Sequence, residues 1–203
     1  MRKPLMIGVA ALALVLLSSS VRGGEPPHLA VGPGAPAVFH GDGAAEVGIA
    51  KESGVGVVQL DCPQCTGNVV LRSDGQEGLL VNEIGPYRGK RWFDLHADSR
   101  TTALTVTATG RWTLTVGGTD LAGVRADQAA GAGDDVVFLT RPVRSAAVAH
   151  SGEGNFVVHS VELATGRVNL AVNRIGAFAE TVDLRGPVLL QVRSAGRWSV
   201  HAS

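Results

Sequence analysis

Apolar residues along this chain fall in short runs that alternate with polar ones, and no window of eleven or more residues repeats at helical spacing. Runs such as NVVLRS, LTVTA and RWTLTV place every second side chain on one face, the pattern of half-buried strands. Gly, Asn, Asp and Ser separate the runs every 8 to 12 residues. In the C-terminal part this predicts strands at Val136–Leu139, Ala146–His150, Asn155–Val161, Val168–Asn173, Ala177–Leu184, Val188–Arg193 and Trp198–Ala202. Seven short strands of this kind point to a small antiparallel sandwich.

The pattern occurs twice. GNVVLRS (67–73), LLVNEIG (79–85) and GRWTLTV (110–116) return in order as GNFVVHS (154–160), LAVNRIG (170–176) and GRWSVHA (196–202), at offsets between 86 and 91 residues. A nearly constant offset marks a duplicated folding unit with small insertions. The fold class expected is therefore all-β, with two tandem antiparallel β-sandwich domains at residues 46–118 and 133–203, joined by a linker at 119–132. Alternation puts Leu104, Val106, Trp112 and Leu114 on one face, which suggests a terminal hairpin pairing 106 with 112 around a three-residue loop. Gly110 and Gly196 then supply the left-handed residue of that loop, and Trp112 and Trp198 anchor the core. In the VNxIG element, Ile84 and Ile175 are expected to drop into the core and Gly85 and Gly176 to take an unusual φ.

The ends differ from this pattern. Residues 1–23 read as an export signal, with Arg2 and Lys3 before the apolar stretch Leu5–Leu17 and small residues beyond it. That stretch is short for a bilayer span, so no integral membrane span is expected after cleavage, and the protein should be secreted or associated with the cell surface. Residues 24–45 are rich in Pro and Gly and read as an irregular tether. Charge is balanced, with 18 basic and 18 acidic residues overall, 7 against 8 in the first unit and 7 against 6 in the second. Nothing in that balance favours nucleic acid or an anionic membrane as partner.

Chemistry is sparse. Cys62 and Cys65 form a CPQC motif, which admits a catalytic dithiol, half of a metal site or a local disulfide. A reactive dithiol needs a helix N-terminus after the strand, and a metal site needs a second ligand pair. Neither is in view, so a disulfide formed after export is expected, with no metal and no cofactor. The equivalent loop of the second copy, HSGE, has no cysteine. The copies also disagree at PYRGKRWFDLH (86–96). With Phe93 and Leu95 inward, alternation turns Trp92 and Asp94 outward, so Arg91, Trp92, Asp94 and His96 are a candidate ligand surface, for instance for a sugar ring. The competing reading is that Trp92 covers a contact between the units or a sheet edge. No GxSxG elbow or phosphate-cradling glycine loop is present, so no enzyme activity is expected.

With GNVV and GNFVV, LLVNEIG and LAVNRIG, and the two GRW segments aligned, the chain resembles a repeat of exported or membrane-attached proteins of high-GC Gram-positive bacteria, in which a GNF strand, an LVNxIGxYxG element and an LxVxAxGxWT hairpin follow one another. The resemblance covers both units and implies no activity. Departures lie at CPQC in the first copy and at Ala177 and Ala179 in the second. The expected function is an exported, non-catalytic binding or structural protein, its partner a surface protein or glycan. The alternatives are an extracytoplasmic thiol oxidoreductase using CPQC and a carbohydrate-binding module using Trp92.

Overall fold

The computed structural model describes residues 36–51 and 54–203; the signal segment 1–23 and the tether up to residue 35 lie outside the described residues. The fold is β-sandwich-like and all-β. Its strands are β1 (Ala37–Asp42), β2 (Ala45–Gly48), β3 (Gly56–Cys62), β4 (Asn68–Ser73), β5 (Leu79–Ile84), β6 (Tyr87–Phe93), β7 (Ala103–Thr107) and β8 (Arg111–Gly117). After a 3₁₀ turn at Thr119–Leu121 come β9 (Gly123–Arg125), β10 (Gln128–Ala132), β11 (Asp135–Leu139), β12 (Ser145–Ser151), β13 (Asn155–Glu162), β14 (Val168–Ile175), β15 (Phe178–Asp183), β16 (Val188–Ser194) and β17 (Arg197–Ala202). Each of the seven strands expected in the C-terminal part forms, with ends shifted by a residue or two.

Among the described residues the strands make four sheets. Sheet I has the order β1-β8-β3-β6, sheet II β2-β7-β4-β5, sheet III β14-β13-β16-β11-β9 and sheet IV β10-β17-β12-β15. All ladders are antiparallel except that of β9 with β11. Sheets I and II share one apolar cluster, in which Leu60, Trp112 and Leu114 meet Leu71, Leu104 and Val106. Sheets III and IV share another, in which Phe156, Val158 and Leu190 meet Val148, Trp198 and Val200. Alternation explains both, since β8 and β17 bury every second residue and expose or half-bury the rest.

The terminal hairpin does not exist as expected. β7 lies in sheet II and β8 in sheet I, and β16 and β17 are divided in the same way between sheets III and IV. Two strands that face one core from opposite sheets satisfy the same inward alternation as a paired hairpin, so side-chain pattern alone does not separate them. Gly110 and Gly196 are correspondingly not among the positive-φ residues. At Gly196 the role is space, since a β-carbon there would strike the Ser151 carbonyl, whereas one on Gly110 would make an ordinary contact, 3.4 Å from the Gln64 carbonyl.

Other matched positions do carry the turn geometry. Gly85 and Gly176 have φ of 87° and 85°, and their N–H groups donate to the carbonyls of Gly67 and Gly154 at 2.9 and 3.0 Å. Trp112 and Trp198 are core anchors, and each indole N–H donates across 2.9 Å to the carbonyl of a positive-φ glycine, Gly43 or Gly133. Gly41 and Gly131 lie opposite the two tryptophans, where any β-carbon would run into the indole. Residues 37–42, expected within the tether, therefore form β1 and pair with β8, because a strand built around a GxG step lets the Trp ring lie on the backbone. Likewise the expected linker 119–132 contains β9 and β10, the latter paired with β17.

Ile84 and Ile175 overturn the core expectation: they are 81% and 78% exposed at the tips of equivalent turns. The reason is a bulge. Register shifts between Leu71 and Arg72 opposite β5, and between Val158 and His159 opposite β14, so one extra residue in each edge strand changes which side chains point inward.

Candidate functional site

Sheets I and III face each other, and two of the residues singled out by disagreement between the copies, Arg91 and Trp92, lie at their seam. β6 is an edge strand of sheet I with one side chain on each face in turn. Trp92 points away from the first core, as alternation requires, yet it is only 5% exposed. It packs with Val55 and Val57 of the first half and Val136, Val161 and Leu189 of the second. Its backbone N–H donates to Gln191 Oε1 at 2.9 Å. The outward ligand surface expected around Trp92 is thus corrected, because the second half of the chain covers it.

Arg91 is 2% exposed and spans the same seam. Its Nε donates to the Leu80 carbonyl at 2.8 Å, and its Nη2 lies 2.6 Å from Asp134 Oδ2 as a charge contact outside hydrogen-bond alignment. Asp134 also accepts from the Tyr87 hydroxyl at 2.9 Å and from the Ser194 N–H at 2.9 Å. Its carbonyl receives the Lys90 N–H at 3.2 Å, which extends the edge of β6 onto the second half of the chain. Burial pushes the Tyr87 hydroxyl far above its ordinary pKa; Arg91 acts in the opposite direction and the Asp134 charge adds to the rise. One carboxylate therefore fastens three groups from both halves.

Asp94 and His96 do not join this arrangement. Asp94 is 1% exposed and closes the loop between β6 and β7. It accepts from Ser99 Oγ (2.9 Å), Thr101 Oγ1 (2.8 Å) and Thr101 N–H (3.0 Å), with Lys51 Nζ at 3.3 Å. Burial alone would raise its pKa, but the Thr101 and Ser99 hydrogen bonds and the Lys51 charge together hold it below the ordinary carboxylate value. His96 is exposed in the same loop. The four candidates thus divide between a seam, a loop lock and open surface.

Cys62 and Cys65 are disulfide-bonded, 0% and 1% exposed, and belong to the first core cluster. The bridge closes the β3–β4 turn, which leans on the β7–β8 turn through Thr109 Oγ1, acceptor from the N–H groups of Thr66 and Gly67 at 3.0 Å. So short a loop restricts the unfolded chain little. The double variant Cys62→Ser/Cys65→Ser is expected to lose less than about 2 kcal/mol, read as a lower urea midpoint with an unchanged slope.

A feature the sequence did not single out is an open cleft of about 800 Å³ beside the Asp134 junction. One wall is the β5–β6 turn with Ile84 and Arg88; the other is the end of the second half, with Asn155, Arg193 and Arg197. Arg193 and Arg197 flank residues 194–196, where the chain turns from the end of β16 into β17. The near-continuous apolar runs GVVQL in β3, VVFL in β11 and VLLQV in β16 carried the missed signal, because a strand buried on both faces has something packed on its second face. The sequence matches no family model and no curated protein.

Proposed function

We propose that this is an exported, non-catalytic binding protein of the cell surface or extracellular space, built as two tandem eight-stranded sandwiches with the repeat character of exported high-GC Gram-positive proteins. The strand orders support tandem units: 1-8-3-6 over 2-7-4-5 is the jelly-roll order, and the second half repeats it strand for strand, with β9 added at one edge. The signal-like segment at residues 1–23 supports export.

The observation that carries the binding reading is the cleft at the seam, whose walls come from both units and whose Asp134 junction ties those walls together. A preformed concavity between two fastened units suits ligand binding because little ordering is needed when the ligand arrives. The carbohydrate reading shifts from Trp92 to this cleft, since Trp92 lies within the seam. The thiol reading is disfavoured by the burial of both sulfur-bearing residues.

The test is amide-shift mapping of the isotope-labelled protein against a soluble extract of the producing cell's envelope. Perturbations confined to residues 83–88, 133–134 and 193–197 are expected. Perturbations elsewhere, or turnover in an insulin-reduction assay, would sink this assignment.

A further inference from the structure

We propose that the seam cleft takes an acidic oligosaccharide and holds its carboxylates with Arg193 and Arg197; this rests on the binding reading above. The first support is charge. Arg88, Arg193 and Arg197 line the cleft against two carboxylates, Glu83 and Asp134. Asp134 is already engaged by Arg91, Tyr87 and the Ser194 N–H, so it opposes an incoming anion little. Arg88 reaches Asp61 at 3.4 Å from a side chain that is 74% exposed, a weak surface pair. Arg193 and Arg197 have no ion pair among the described residues. Two guanidinium forks are therefore available for carboxylate oxygens, which they match in planar, bidentate geometry.

The second support is positioning. The turn between the two arginines is held at three points: Ser194 N–H donates to Asp134 Oδ1 at 2.9 Å, Gly196 N–H donates to Ser194 Oγ at 3.0 Å, and Ser194 Oγ donates to the Gly196 carbonyl at 2.9 Å. Gly196 sits so close to the Ser151 carbonyl that no side chain fits there. The bases of both arginines are thus fixed before any ligand arrives, while their heads remain exposed.

The third support is asymmetry between the copies. In the first unit the equivalent turn 108–110 is flanked by Thr107 and Arg111, so only one guanidinium stands there. The arginine pair belongs to the copy whose 194–196 turn lines the cleft, whereas the other copy closes its corresponding end with the Cys62–Cys65 bridge. Hydroxyl and amide groups of Ser151, Ser194 and Asn155 complete a lining suited to sugar hydroxyls, and the volume of about 800 Å³ falls in the range of small-ligand sites.

The experiment is calorimetric titration of the purified protein with trigalacturonate and with its methyl ester, which has the same rings without charge, at low and high NaCl. Amide shifts locate any binding. The acid is expected to bind at residues 193–197 at least about tenfold more tightly than the ester, and to weaken as salt rises. Arg193→Gln/Arg197→Gln is expected to abolish that preference without moving the thermal midpoint, since both residues are exposed. Equal binding of acid and ester would overturn the anionic assignment and leave the cleft reading standing. Triglutamate binding as tightly as trigalacturonate would overturn the saccharide assignment. If neither saccharide moves the cleft amides while the envelope extract does, this inference fails alone; if the extract also leaves them unmoved, both fail.

Discussion

Replacing Asp134 with alanine is expected to destabilise the protein by about 3 to 5 kcal/mol. The side chains of Arg91 and Asp134 are 3% and 8% exposed, so removing the carboxylate strands a guanidinium in a poorly solvated place. The Tyr87 hydroxyl and the Ser194 N–H lose their acceptor in the same step. An unpaired buried charge costs more than the pair contributed, because its desolvation is no longer offset. Urea denaturation followed by tryptophan emission measures the loss, and Trp92 at the seam should report it directly. The double variant Arg91→Leu/Asp134→Ala is expected to recover a large part of the stability, since it removes the stranded charge along with its partner. A double variant as unstable as the sum of the two single ones would show that the two residues act independently.

How much of this was legible beforehand follows from what alternation does and does not encode. Strand positions in β11 to β17 were legible because hydrophobic period and turn residues coincide there. Strand partners were not, since Leu104 and Trp112 face inward whether their strands are paired or stacked across a core. Ile84 and Ile175 were misplaced because a bulge in the edge strand leaves no mark in composition. The start of the first unit was missed because β1 has alternating but mostly exposed residues, and its only strong signal is the GxG step Gly41–Gly43, matched by Gly131–Gly133. Of the candidate site, CPQC was readable as a disulfide from its place between two strands. Trp92 was readable as outward from its own sheet but not as covered, because covering depends on a surface some 40 to 100 residues away in sequence, at Val136 and Leu189. The arginines of the cleft lay inside motifs whose other members explain the fold, so nothing in the pattern marked them out.

Asp94 separates structural from ligand-binding use of a carboxylate most sharply. Its φ of 56° lies in the left-handed region, which Asn tolerates best among residues with a side chain, so Asp94→Asn keeps the backbone and removes only charge and acceptor capacity. With the amide oxygen in the Oδ1 position the Ser99 and Thr101 donors keep an acceptor, but the NH₂ group then stands in the Oδ2 position, where it faces the second branch of the Thr101 N–H bond and meets Lys51 Nζ in place of a carboxylate at 3.3 Å. A loss of about 2 to 4 kcal/mol is expected. The pH dependence gives an independent readout. Asp94 is held below the ordinary carboxylate value when folded, so its contribution is fully present above the unfolded value of 3.8 and is lost as pH falls through the lower, folded one. The wild type should therefore lose stability on the acid side faster than Asp94→Asn, and the gap between them should narrow as pH drops below about 4. A gap that stays constant from neutral pH to pH 2 would mean that the carboxylate's charge does not lock the 94–101 loop.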